Sequence, residues 1–342
     1  MIEVLASGFL STIQDAGRPA YQRFGVPVSG AMDADSLAIA NLLAGNRPEE
    51  AAMEVTISGP SLRFSAANVF AIAGADFSPT LNGEPIENNR AYLAAAGSVL
   101  KLGTVREGCR AYIAFAGGLE IQPVMGSRST YLKGKIGGLD GRALRAGDSI
   151  PFAAPVSSLP NMPWRFLGQN FGFPKTPHQV LRVIPGPQFD AFSEDGIQTF
   201  LSSVYTVTGE NDRMGYRFSG PAIAHKEGRD GNIISDGIPM GAIQVPQDQP
   251  IVLMADRQTT GGYTKIASVI SVDLPRLAQL KTGDTVEFQM TDIRTAQECY
   301  RKRARFYKDL YRQFNERDLL SAHIYRVGMP EKIFHVTLHE YK

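Results

Sequence analysis

The chain has 342 residues, 43% of them hydrophobic, a length that favours more than one core and a composition far from that of disordered chains. Its 35 Lys and Arg balance 34 Asp and Glu, leaving a formal charge of +1. No global field then recruits nucleic acid or an anionic membrane, and a small-molecule or protein partner is expected.

The N-terminus, Met1-Ile2-Glu3-Val4-Leu5, has neither the basic flank nor the unbroken apolar core of a secretory leader. The richest apolar run, 91–100, is interrupted by Gly97 and Ser98 and falls short of a membrane span. Cys109 and Cys299 are too few for a disulfide framework and have no metal-ligand partner at short spacing, which fits a reducing cytoplasm.

Two Gly- and Asp-containing stretches open the chain, Thr12-Ile13-Gln14-Asp15-Ala16-Gly17-Arg18 and Gly25-Val26-Pro27-Val28-Ser29-Gly30-Ala31-Met32-Asp33. They lead into the best early helix, Ala34–Leu43, which Asp33 or Ser36 can cap and whose Leu37, Ile39, Ala40 and Leu43 form an apolar face. Short runs rich in Val, Ile, Phe and Tyr follow at Ser61–Phe64, Val69–Ala73, Val99–Leu102, Ala111–Ala116, Val204–Val207 and Thr285–Met290. With 34 Gly and 21 Pro between them, these predict a mainly β protein, barrel-like or sandwich-like. Helices are expected to be few, a second one lying near Leu274–Leu280.

Lys133-Gly134-Lys135 with Gly137-Gly138 resembles phosphate-cradling material, but Ile136 stands where a P-loop needs its hydroxyl, so at most a basic loop over a site is expected. Internal echoes suggest a duplication. Asp15, Arg18, Tyr21 and Arg23-Phe24-Gly25 loosely match Asp212-Arg213, Tyr216 and Arg217-Phe218, and Ala146-Gly147-Asp148-Ser149 matches Thr282-Gly283-Asp284-Thr285. The Pro-rich segment Ala154–Pro177 would join the halves. After Met290 the pattern turns charged and helical over Thr295–Leu320, with Tyr300, Tyr307, Leu310 and Phe314 on one face, as in a docking helix. His335 and His339 have metal-like spacing, but Val336-Thr337-Leu338 between them reads as strand, and no metal site is expected.

The densest chemistry lies in 235–270. Ile251-Val252-Leu253-Met254-Ala255 reads as a buried strand, and Asp256-Arg257-Gln258-Thr259-Thr260-Gly261-Gly262-Tyr263-Thr264-Lys265 begins where it would end. Asp256 is read as a solvent-reachable catalytic carboxylate with a neighbouring cation setting its pKa. Gln258 and Gln244 offer amide donors and acceptors suited to a lactam or ureido group, Lys265 a point charge for an anion, and Gly261-Gly262 a close backbone approach. An isolated Asp in such a place more simply caps its own turn, and an isolated Lys is usually solvated.

The block Gly241-Ala242-Ile243-Gln244-Val245-Pro246, the strand and loop from Ile251 to Ile266, and the opening Thr12–Arg18 and Gly25–Asp33 motifs together resemble the biotin-dependent carboxyltransferase-like family. That family includes allophanate hydrolase subunit 2, KipA, the C-type subunit of 5-oxoprolinase and the carboxyltransferase region of urea carboxylase. The resemblance implies two cyclophilin-like β-barrel subdomains, 1–153 and 178–290, the second carrying the main motif, followed by a helical tail at 291–342. It implies an ATP-dependent 5-oxoprolinase subunit, active only with B-like and A-like partner subunits, with ATP shared with a partner. It also leaves open carboxyl transfer from carboxybiotin to urea, with biotin arriving on another chain, or KipA-like binding of an inhibitor of a sensor histidine kinase. On this reading Asp256, Gln258 and Lys265 are catalytic, and Gln244, Ser235, Thr259, Gly261, Gly262, Tyr263, Arg213, Gln14 and Asp15 bind the amide substrate.

Overall fold

Strands dominate the computed structural model of the chain, which describes residues 1–168, 176–316, 319–329 and 332–341. Four α-helices accompany them among the described residues: α1 (Ala34–Leu43), α2 (Glu194–Ser202), α3 (Leu274–Ala278) and α4 (Ile293–Asn315). The mainly β architecture is the one that the spaced apolar runs and Gly/Pro turns predict.

The N-terminal half packs two sheets face to face. One has six strands, with Ile2–Ala6 between Ser149–Ile150 and Ser61–Phe64, and the other has five, with Glu107–Phe115 at its centre. Ile13, Val55, Phe64, Phe70, Ile113, Phe115 and Phe152 fill the space between them. The C-terminal half is a closed barrel of seven strands in the order His178–Pro185, Lys265–Val269, Ala242–Gln244, Ile251–Leu253, Gly215–Ser219, Tyr205–Val207 and Thr285–Met290. It closes where His178–Pro185 runs parallel to Thr285–Met290. Closure removes free edges, so a wall of three-residue strands remains fully paired. Met32 from the first half is buried in the barrel's core cluster and pins the halves together.

The two internal echoes fare differently. The Gly-Asp turns are alike: Gly147 and Gly283 have φ of 93° and 91°, and Asp148 and Asp284 each accept a backbone N–H, from Arg145 at 2.7 Å and Lys281 at 2.8 Å. A positive φ at each is what only glycine adopts without strain. The Asp15 and Asp212 stretches are not alike, for the first is a loop with a short 3-10 turn at Gln22–Phe24, while the second enters the barrel strand Gly215–Ser219.

Asp33 caps α1 by accepting from Ser36 N at 2.9 Å. The expected single apolar face is corrected, because every residue of α1 from Asp35 to Leu43 is buried. One side lies on the five-stranded sheet and another meets Leu310 and Phe314 of α4. Its one charged residue, Asp35, pairs with Arg303 and Tyr307 of α4. The expected linker is built into this seam. Arg165 is buried and donates to Leu42 O and Leu43 O at 2.7 Å and to Phe314 O at 2.8 Å, closing the C-terminal ends of α1 and α4 with one cation. Residues 169–175 of that segment lie outside the described residues.

The tail is helical only in part. α4 ends at Asn315, and Leu319–Met329 pairs with Lys332–Tyr341 as an antiparallel hairpin. His335 and His339 lie on its second strand, and their side chains are outside the described set.

Candidate functional site

Five of the residues singled out in the sequence, Arg213, Gln244, Asp256, Gln258 and Tyr263, line two cavities that share Gly209, Asp212 and Met214 as a border. The seam cavity, about 610 Å³, lies between the halves, with Thr56, Tyr131 and Lys133 from the first and Arg213 and Asp256 from the second. The outer-wall cavity, about 750 Å³, lies on the barrel and is lined by Gln244, Gln258 and Tyr263 together with Arg217.

Asp256 follows the Ile251–Leu253 strand, as expected for a strand-end carboxylate, but it is only 5% exposed. Arg213 holds it through Nε to Oδ2 at 2.9 Å and Nη2 to Oδ1 at 3.3 Å, while the Asp256 N–H donates to Arg213 O at 2.8 Å. The same guanidinium pairs with Glu54 and donates to Gly30 O at 2.6 Å. Burial alone would push the Glu54 carboxyl up, yet Arg213 and Arg110 outweigh it and hold it below the usual range. Burial likewise opposes the charge on Arg213, and Glu54 and Asp256 more than restore it. The cation beside Asp256 is therefore Arg213 and not its sequence neighbour. Arg257 turns away to Ile238 O at 2.9 Å and Met254 O at 3.2 Å, and burial lowers it to about 10.

The opening motif does reach this place. Ser29 N donates to Ala255 O at 3.0 Å, Ala31 N donates to Asp15 O at 3.0 Å, and the buried Arg18 guanidinium lies in the field of both Asp15 and Asp256. Asp15 itself accepts from Gly17 N at 2.8 Å, Ser127 Oγ at 2.6 Å, Ser129 Oγ at 2.5 Å and Arg128 N at 2.6 Å. Four donors occupy its carboxylate, so it organises the loop instead of offering itself to a substrate. Gln14 is fully buried and donates to Thr12 Oγ1 and Thr130 O, both at 3.0 Å.

Lys265 is not a free point charge. It is 1% exposed, and its Nζ lies 3.2 Å from Asp236 Oδ2 on the strand Asn232–Gly237. That strand pairs with Thr260–Tyr263 as a two-stranded flap. Ser235 is exposed on the flap, Thr259 O accepts from Ile238 N at 3.1 Å, and neither residue lines the two cavities. Gly261 is needed where it stands: a Cβ there would lie 2.6 Å from Ile238 Cδ1 and 2.9 Å from Gln244 Nε2. Gly262 is less crowded, with Ile233 O at 3.2 Å from its Cβ position.

The basic loop does overhang a site, since Lys133 lines the seam cavity with its Nζ 3.8 Å from Met214 Sδ. Its glycines serve packing, because Cβ atoms at Gly137 and Gly138 would meet Ser129 O at 2.2 Å and Thr130 Oγ1 at 1.9 Å. They form no polyphosphate cradle. Sequence reasoning misses Tyr131 of the seam cavity, Arg217 of the outer-wall cavity and Glu54, the buried partner of Arg213. Glu54 carries a signal, a lone charge among Ala52, Met53 and Val55 in the strand Ala52–Thr56, buried throughout. Arg217 carries none, for in Gly215–Ser219 it reads as a surface residue of an alternating strand.

Among the described residues, no group of three or more His, Cys, Asp and Glu can hold a metal ion, and no helix is long and apolar enough to cross a membrane. Residues 24–290 match the family model of the carboxyltransferase domain, subdomain A and B. The chain is 35% identical over 318 residues to the C-type subunit of 5-oxoprolinase from Escherichia coli, covering 92% of this chain and 100% of that protein. It is 34% identical to the urea amidolyase of Lachancea kluyveri over 84% of this chain but 17% of that protein. The crystal structure of Kluyveromyces lactis urea carboxylase superposes with a TM-score of 0.83 at 31% identity, over 90% of this chain and 29% of the other. The extent and identity of these matches settle kinship: the chain belongs to the family of the carboxyltransferase domain, subdomain A and B.

Proposed function

We propose that the chain is the C-type subunit of an ATP-dependent 5-oxoprolinase, which opens 5-oxo-L-proline to L-glutamate together with B-like and A-like partner subunits in the cytoplasm. The observation that carries this reading is extent. Its identity to the E. coli protein runs the whole length of that protein, whereas it matches only 17% of the amidolyase.

A lactam resists hydrolysis because its nitrogen donates into the carbonyl. Transfer of the γ-phosphoryl of ATP to the lactam oxygen releases ADP and makes that oxygen a leaving group. Water then adds at the ring carbon, the C–N bond breaks as the nitrogen takes a proton to become the amine, and a second water hydrolyses the acyl phosphate so formed to phosphate and the side-chain carboxylate of glutamate. The chain's share of this work is to hold the amide and its carboxylate in place, which lowers the entropy cost of the reaction. ATP is assigned to a site shared with a partner subunit. Of the residues read as catalytic, Gln258 lines the outer-wall cavity, while Asp256, at the edge of the seam cavity, and Lys265 are engaged in ion pairs and are assigned to positioning.

The purified chain alone is expected to release no ADP in response to 5-oxoproline, and addition of both partners to produce it. Turnover by the chain alone would overturn the reading. The likeness to urea carboxylase favours a second reading, carboxyl transfer from carboxybiotin to urea. Incorporation of labelled bicarbonate into urea, in the presence of biotin carboxylase and carrier components, distinguishes it.

A further inference from the structure

Arg217, Ile251 and Gln244 stand side by side, in register, on three neighbouring strands of the barrel. Their chain neighbours Tyr216, Val252 and Ile243 belong to the barrel core, so the trio occupies the outer wall. An outer-wall glutamine is ordinarily solvated. Gln244 is 2% exposed, because the Thr260–Tyr263 strand lies across it with Gly261 against its carboxamide. Its Nε2 is buried and has no hydrogen-bond partner among the described residues. A methionine of the same length would pack there without stranding a polar atom, so packing does not account for the amide.

We infer that the outer-wall cavity is a subsite for a small ring-locked cis amide bearing a carboxylate, with Gln244 pairing with the amide edge and Arg217 with the carboxylate. The natural ligand, 5-oxoproline, rests on the functional reading above. A lactam or ureido ring holds its N–H and C=O on one edge, and a carboxamide presents the complementary pair, so two parallel hydrogen bonds form. An open-chain trans amide cannot offer both on one edge. Whichever way the Gln244 amide is turned, it keeps a donor and an acceptor, so the pairing does not depend on its assignment.

Strand spacing places the Arg217 and Gln244 backbones about 10 Å apart, a gap that their two long side chains close onto opposite ends of a five-membered ring. Arg217 is available for this. Its one ion pair among the described residues is with Glu210 at 3.5 Å, and that carboxylate is 81% exposed. A planar guanidinium suits a carboxylate better than an ammonium does. The cavity, at about 750 Å³, exceeds such a ligand and leaves room for a partner's contribution.

Calorimetric titration of the full-length chain with 5-oxo-L-proline, 2-pyrrolidinone, 2-imidazolidinone and N-methylacetamide tests this. The expected order is 5-oxoproline tightest, the two uncharged rings at least about tenfold weaker, and N-methylacetamide without measurable binding. Arg217→Met, at an exposed position, should remove only the advantage of 5-oxoproline over 2-pyrrolidinone. Gln244→Met, verified as folded by its thermal melt, should weaken all three rings at least about tenfold. N-methylacetamide binding as tightly as the rings, no ring binding at all, or variants that bind like the parent would overturn the inference. If the rings bind through Gln244 but the complete assembly shows no 5-oxoproline-dependent ATP hydrolysis, the functional reading falls and the subsite stands. If the assembly turns over 5-oxoproline with a KM unchanged by Gln244→Met, the subsite falls and the reading stands.

Discussion

Asp256 and Gln244 show how burial changes the meaning of a residue type. By sequence Asp256 is a reachable carboxylate whose neutralisation should cost about 1 kcal/mol or less, but in the fold it is one end of a buried Glu54–Arg213–Asp256 relay. Asp256→Asn is therefore expected to cost about 3 kcal/mol, read as a lower urea midpoint with an unchanged slope. A loss below about 1 kcal/mol would show the pair to be worth no more than a surface bridge. Gln244 predicts the opposite balance. Removing its orphaned amide with Gln244→Met should leave the melting temperature equal or higher while ligand binding falls. A marked drop in melting temperature would mean that the amide has a structural partner. The residue types of this site are legible in the sequence, since amides, an acid and a glycine pair cluster in 235–270. Their partners are not: Glu54 and Arg213 are 159 residues apart in the chain, and no local pattern reports such a pairing.

The helices explain which elements can be read. α1 is legible to its last residue because Asp33 caps it and aliphatic residues fill it. α2 escapes a sequence reading because Gly196 interrupts its pattern. That glycine is there so the helix can approach Ala224, whose carbonyl oxygen would lie 2.1 Å from an added Cβ. The α1–α4 contact carries a pH dependence. Burial first, opposed by Arg303, raises the Asp35 carboxyl from 3.8 to about 6. A folded pKa above the unfolded one means that the native state binds this proton more tightly. The associated stability is full below about pH 4 and is lost as pH rises through 6, over a span of about 3 kcal/mol. Asp35→Asn should flatten that segment of the stability–pH curve. An unchanged slope between pH 4 and 6 in the variant would place the dependence elsewhere.

At the scale of the whole molecule, the site follows from how two cores meet. The two-sheet half contributes Glu54, the Arg18 loop and Lys133, and the barrel contributes Arg213, Asp256 and the glutamine wall. A mainly β fold is readable from turn spacing, but closure of the second half into a hydrogen-bonded barrel is not, because closure depends on which distant strands pair. Of the terminal hairpin only Val336-Thr337-Leu338 is read as strand, and its pairing with Leu319–Met329 is hidden behind the strongly helical charge pattern of α4. The central claim, that this chain serves 5-oxoproline opening as one member of an assembly, is tested most directly by glutamate formation from 5-oxoproline and ATP in an assembly reconstituted with and without it. The account predicts equimolar glutamate and ADP only when the chain is present, with a KM for 5-oxoproline at least about tenfold higher in the Arg217→Met assembly. Equal glutamate formation in its absence would contradict the account.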